Sequence, residues 1–124
     1  MKYKVLIVED EILIGMMIKK KIVAKGYDVC DVLPTGEQAI ECTPRENPDI
    51  LLMDICLAGE LNGIEAARQI RREKDTPVIF FTVNNKDKNL IEQSKDVKPV
   101  AIIDKLGSIN ELFSAIESVL PPQA

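Results

Sequence analysis

The chain has no histidine anywhere in its 124 residues. That absence removes Ser-His-Asp and Cys-His catalysis, histidine-ligated zinc and histidine general bases together. Cysteine is scarce: Cys30, Cys42 and Cys56 lie twelve and fourteen residues apart and form no Cys-x-x-Cys pair. An odd number closes no disulfide framework, so a reducing, cytoplasmic setting and inert thiols are expected. Long apolar runs are missing too. None approaches the roughly 18–20 residues that span a bilayer, and the stretch after Met1-Lys2-Tyr3-Lys4 is too short for a signal-peptide core. A soluble, unexported protein is expected. Positive charge is in deficit, with a formal net charge of −4 and a pI near 4.9. That leaves no basic stripe for phosphate backbones and argues against direct nucleic-acid binding.

What is present is apolar and segmented. Hydrophobic residues make up 46% of the sequence, enough to bury a core in one domain, residues 1–124. The stretch that organises the rest is ILLMDICLAG, residues 50–59. Four apolar residues precede a carboxylate, Asp54, and a turn signal follows at Ala58-Gly59. A short continuous apolar run reads as a strand buried on both faces, as in a parallel sheet. Pro48 just upstream disfavours helix at Asn47 and marks the strand's start. Asp54 is thereby predicted at the C-terminal end of its strand, the edge where open parallel sheets bind ligands.

The same pattern recurs. Residues 3–8, 27–32, 78–82 and 100–103 read as further strands, the one at 27–32 nearer the sheet edge and the one at 78–82 opened by Thr76-Pro77. Between them lie helical patterns. Residues 11–25 place Ile12, Leu13, Met16, Met17, Ile22 and Val23 inward, with acids early, lysines late and Gly26 as the stop. Residues 37–46 bury Ala39, Ile40 and one of Cys42 or Thr43, and residues 64–73 bury Ile64, Ala67 and Ile70. Residues 86–95 form a thin pattern with Leu90 and Ile91 inward, after a polar run at 84–88 that reads as a loop or helix start. Residues 108–120 carry the clearest amphipathic signal, with a capping box from Ser108 and Glu111 and a stop at Pro121-Pro122. Strands alternating with helices predict an α/β fold, a doubly wound five-stranded parallel sheet covered on both faces.

Each informative polar residue falls at a strand end. Glu9 and Asp10 follow the first strand, Asp54 the third, Thr82 closes the fourth and Lys105 follows the fifth. If the strands are parallel, these side chains gather at one sheet edge. Clustered carboxylates repel one another unless a cation joins them. Oxygen donors without histidine or thiolate suit Mg²⁺. Taken singly, each residue has an ordinary explanation: an acidic helix start, a strand threonine, a solvated lysine. Gly63 reads as a residue serving turn geometry.

Over its whole length the chain resembles the receiver domain of two-component response regulators. The match rests on Glu9-Asp10 in IVED, Asp54 in LLMDI, the following LAGELNGIEAA, Thr82 after VIFF and Lys105 after AIID. The resemblance implies a flavodoxin-like strand order 2-1-3-4-5. It also implies that Asp54 accepts a phosphoryl group from the phosphohistidine of a sensor histidine kinase, assisted by Thr82 and Lys105. Mg²⁺ would be held by Glu9, Asp10, Asp54 and the backbone carbonyl of Cys56. Such a domain assists its own phosphorylation rather than acting as a conventional enzyme. Its output goes to an effector domain or protein, or to a homodimer through the fourth helix, fifth strand and fifth helix. Three positions depart from the family: Leu106 stands in place of proline, Ile102 in place of an aromatic, and Val83 in place of a small residue. A non-proline at 106 disfavours a cis bond after Lys105.

Other classes fit less well. A pseudo-receiver would keep the fold as an interaction module without phosphorylation. An aspartate-nucleophile phosphatase wants a second acid two residues on, where Cys56 stands, and a flavin site wants a Ser/Thr/Gly-rich loop after the first strand, which is absent.

Overall fold

Apolar segments pair side by side as a single parallel sheet in the computed structural model, which describes residues 2–83 and 86–121. The strands are β1 (Lys4–Val8), β2 (Asp28–Leu33), β3 (Ile50–Asp54), β4 (Val78–Thr82) and β5 (Ala101–Asp104), in the order β2-β1-β3-β4-β5. The helices are α1 (Ile12–Ala24), α2 (Gly36–Glu46), α3 (Gly63–Glu73), α4 (Lys88–Ser94) and α5 (Ile109–Val119). Fold class and strand order are those anticipated. Parts of the polar run at 84–88 fall outside the described residues.

Alternation along the strands divides the core in two. Leu6, Val8, Leu51, Met53, Val78 and Phe80 face a cluster completed by α2 and α3, through Ala39, Cys42, Ile64, Ala67 and Ile70. Val5, Ile7, Ile50, Leu52, Ile79, Phe81 and Ile103 face the other, closed by Ile22 of α1 and by Leu112 and Ile116 of α5. Every residue of β3 and β4 is buried because both faces are covered, whereas β2, at the sheet edge, is half-exposed. The register aligns Val8 with Met53, Asp54 with Phe81 and Thr82 with Asp104. All strands therefore finish near one edge, and Glu9, Asp54, Thr82 and Lys105 are delivered there together.

The helix ends follow local chemistry, with corrections. At α2, Thr35 accepts from the Gln38 amide, and Asn47 closes the helix in the left-handed region at φ 49°. The capping box expected from Ser108 and Glu111 is absent: Ser108 accepts instead from the Asn110 amide. A reciprocal box forms at α3, where the Asn62 side chain accepts from Glu65 N and the Glu65 carboxylate accepts from Asn62 N. Ile91 of α4 points outward at 37% exposure, while Leu90 packs on the core.

The largest correction concerns α1. Only Gly15 and Ile22 are buried there, while Ile12, Leu13, Met16, Met17 and Val23 are exposed. The helix is apolar nearly all round, so periodicity could not tell its inner face from its outer one. Gly15 sets the contact: a Cβ there would meet the Val32 side chain at 2.7 Å. The helix rests on the sheet along its glycine side.

Stability measurements on two single variants separate these faces. Ile22→Ala, in the core, should cost about 2–5 kcal/mol in denaturant unfolding. Met17→Ala, on the surface, should change it by less than about 0.5 kcal/mol. Equal losses would restore the inward assignment of Met17.

Candidate functional site

Three strand ends converge on one ammonium group. Lys105, the first residue after β5, lies with Nζ 2.7 Å from Oδ2 of Asp54 and 2.6 Å from Oε1 of Glu9. Its backbone N donates to the Thr82 carbonyl at 3.1 Å, which fixes where the lysine leaves the sheet. A turn then closes through Leu106 N to Oδ1 of Asp104 and Gly107 N to the Asp104 carbonyl. Nζ also stands 5.7 Å from the centre of the Phe81 ring, a cation–π contact that steadies the side chain.

The acids are held as firmly. Glu9 and Asp54 are 2% and 3% exposed, and Asp10 is half-buried. Oδ1 of Asp54 accepts from the Cys56 amide at 3.2 Å, and Oε2 of Glu9 accepts from the Glu11 amide at 3.1 Å. Oxygens from Glu9, Asp10 and Asp54 all lie within 4.8 Å of one another. Oε1 of Glu9 accepts no well-aligned hydrogen bond; the nearby ammonium is its electrostatic partner.

Burial pushes the Glu9 carboxyl up to about 7, reinforced by the Asp54 charge and only partly opposed by Lys105 and the Glu11 amide. For Lys105, burial alone would favour the neutral amine. Its hydrogen bond to Asp54 and its close ion pair with Glu9 win and raise its pKa. Three carboxylates against one ammonium leave negative charge in excess. Such a cluster of hard oxygens fits a small divalent cation, and the residues present suit Mg²⁺.

The structure thus brings together Glu9, Asp10, Asp54 and Lys105. Thr82 ends β4 on the adjacent strand, 1% exposed. Cys56 is exposed just past β3, whereas burial raises the pKa of the Cys30 and Cys42 thiols and keeps them protonated. Sequence reasoning missed that Lys105 bridges Glu9 as well as Asp54, and that Phe81 lies against it. Both follow only from strand register. It also missed the reason for Gly63. Gly59 has a positive φ, +94°, but Gly63 does not. The glycine at 63 answers to crowding, not to a turn.

Comparison with known proteins agrees with this geometry. The model of the response regulator receiver domain family matches residues 5–117. The chain belongs to the response regulator receiver domain family. It is 32% identical over 114 residues to the transcriptional regulatory protein PdtaR of Mycobacterium tuberculosis, across 92% of this chain and 55% of that protein. The chain thus spans about half the length of that curated relative. Among solved structures, the signal receiver domain of a modulated diguanylate cyclase from Desulfovibrio desulfuricans G20 superposes with TM-score 0.88 at 34% identity, covering 97% and 94% of the two chains. The receiver domain of the sensor histidine kinase PA1611 from Pseudomonas aeruginosa, with a magnesium ion coordinated in its active-site cleft, gives TM-score 0.85 at 25% identity, covering 98% and 100%. As a receiver domain the chain acts in two-component signal transduction, and none of its described helices is long and apolar enough to cross a membrane.

The raised Glu9 pKa gives a pH signature. Its folded value, about 7, exceeds the ordinary 4.5, so the folded state binds the proton more tightly than the unfolded chain. Stability from this group is complete below about 4.5 and is lost as pH rises through about 7. In Mg²⁺-free buffer, the melting temperature of the native chain minus that of Glu9→Gln should fall across this window. A flat difference would refute the raised pKa.

Proposed function

We propose that this receiver is a phosphoacceptor and that Asp54 is the residue modified. The observation that carries the reading is the Lys105 ammonium between Asp54 and Glu9, within a group of three clustered carboxylates. An aspartate is a weak nucleophile, and an incoming phosphoryl dianion is repelled by neighbouring acids. The site must therefore supply positive charge around the reacting oxygen.

Glu9, Asp10 and Asp54, with the Cys56 carbonyl, would hold Mg²⁺. When bound, the ion offsets the acidic cluster and the charge of the phosphoryl oxygens. One Asp54 oxygen then attacks phosphorus in line. The O–P bond forms as the P–N bond of a partner kinase's phosphohistidine breaks, and the imidazole nitrogen keeps the bonding pair. Lys105 turns its ammonium from Asp54 to a phosphoryl oxygen, and the Thr82 hydroxyl donates to another. Cys56 N stays with the carboxylate end, fixing the acyl group while the phosphoryl is in place.

The product carries roughly −1.5 to −2 charges that the unmodified site lacked. Movement of Thr82 toward it would shift the end of β4 and repack α4, β5 and α5, altering affinity for an effector domain, a target protein or a second copy. Ile102 occupies the β5 position where the family carries an aromatic, and it packs half-buried against the core. Here the switch would run through aliphatic repacking.

The kinase surface follows from α1. Leu13, Met16 and Met17 are 78%, 59% and 57% exposed, and Leu106, on the turn after Lys105, is 83% exposed. Met17 and Leu106 line one cavity with Lys105, so this side of α1 borders the site, and it would receive the phosphohistidine-bearing helix of the kinase. It lies apart from the acids that transfer chemistry requires.

Two experiments test the reading. Incubation with Mg²⁺ and acetyl phosphate should add one phosphoryl group to the native chain by intact-mass spectrometry and none to Asp54→Asn. A native chain that gains no mass would make this a pseudo-receiver. Separately, Leu13→Asp with Met17→Asp should slow transfer from a phosphorylated cognate kinase by about tenfold or more, while leaving uptake from acetyl phosphate intact. Equal loss with both donors would remove the docking role of α1.

A further inference from the structure

Gly63 opens α3, and its amide donates to the Ile55 carbonyl at 2.8 Å. A Cβ built there would fall on the Asp54 carbonyl oxygen, well inside van der Waals contact, 2.9 Å from the Asp54 carbonyl carbon and 3.0 Å from Ile55 Cα. Nothing in that wall is the end of a flexible side chain; all three atoms are backbone. No other described glycine is crowded by the phosphoacceptor's own main chain. Gly36 is tight against the Ala66 side chain at 2.7 Å, and Gly15 against Val32. Backbone dihedrals do not explain the residue, since its φ is not positive.

The contact lies between two functional atoms. On one side is the Asp54 carboxylate, oriented by the Cys56 amide. On the other is Cys56, whose carbonyl the proposed metal site requires. The main chain between them has little freedom once Gly63 presses on the Asp54 carbonyl and ties down that of Ile55. The capping box of Asn62 and Glu65 anchors the start of α3 and so makes the pressing surface rigid.

We infer that Gly63 is a positioning residue for phosphoryl transfer: by bringing α3 against the backbone of Asp54 and Ile55, it sets the Asp54 carboxylate and the Cys56 carbonyl as a preformed pair of oxygen donors. This rests on the Mg²⁺-dependent reading above. A methyl group at residue 63 has to push the end of β3 away from α3. The displaced donors then no longer share one cation, although both side chains remain.

The test compares Gly63→Ala with Gly36→Ala, which crowds the same α2–α3 region without touching Asp54. Melting temperature reports the structural cost of each, and calorimetric titration with Mg²⁺ alone reports the donor geometry. Gly63→Ala should weaken Mg²⁺ binding about 10–100-fold, and Gly36→Ala, at a similar loss of stability, should not. Should Gly63→Ala fail to fold, Asn62→Ala carries the test. It loosens the start of α3 without adding an atom and should weaken Mg²⁺ binding by a few-fold, on the order of the loss of one cap. Unchanged Mg²⁺ affinity in a folded Gly63→Ala, or equal weakening by Gly36→Ala, overturns the inference. A native chain that binds no Mg²⁺ overturns the functional reading beneath it, a distinguishable failure.

Discussion

One ammonium between two buried carboxylates constrains the whole C-terminal edge of the sheet. Lys105 can reach Glu9 and Asp54 together only if β5, β1 and β3 finish at matching heights, and the register supplies that alignment. Removing two acids from water is expensive, and a single cation repays only part of that cost. The excess shows as the raised Glu9 pKa. A site that stores unresolved negative charge suits a divalent cation, which is the basis of the proposed phosphoryl chemistry. Charge that weakens the resting state thereby equips it for its ligand.

Around that edge the fold divides its labour. The α2–α3 side is tightly keyed: Gly36 and Gly63 let backbones and small side chains meet, and the α3 cap is reciprocal. It backs Asp54, the proposed phosphoacceptor, with rigid structure. The α1–α5 side is looser, with a cavity of about 460 Å³ lined in part by Ile14, Met17, Phe81, Leu106 and Leu112. Rigidity lies behind the Asp54 main chain, and apolar surface is open on the α1 side. The proposed output face begins on a third side. There Ile102 replaces an aromatic and α4 is only seven residues long.

Legibility followed the type of signal. The continuous apolar runs 50–53 and 78–81 announce central strands because a strand covered on both faces has no polar side to confuse the pattern. The polar residues that follow them marked the site for the same reason: only a strand end can place a charge beside such a run. Helix α1 was misread because Ile12, Leu13, Met16 and Met17 look like core residues to any periodicity count, and only Gly15 shows which side touches the sheet. Ser108 caps α5 as expected but without the box to Glu111, since a serine can bond either of two neighbouring amides and here takes that of Asn110. Gly63 was assigned to a turn because glycine has two uses, and sequence does not separate freedom of φ from want of space.

By itself, then, the sequence determined the class of fold, the order of its elements and the residue types at the site, since hydrophobic period and punctuation are local properties. Tertiary structure alone decided which of those residues meet. The bridge from Lys105 to Glu9, the ring of Phe81 beneath the ammonium, the outward face of α1 and the pressure of Gly63 on Asp54 all join segments distant in the chain. Such contacts are fixed by strand register and helix rotation, quantities that no local pattern of residues encodes.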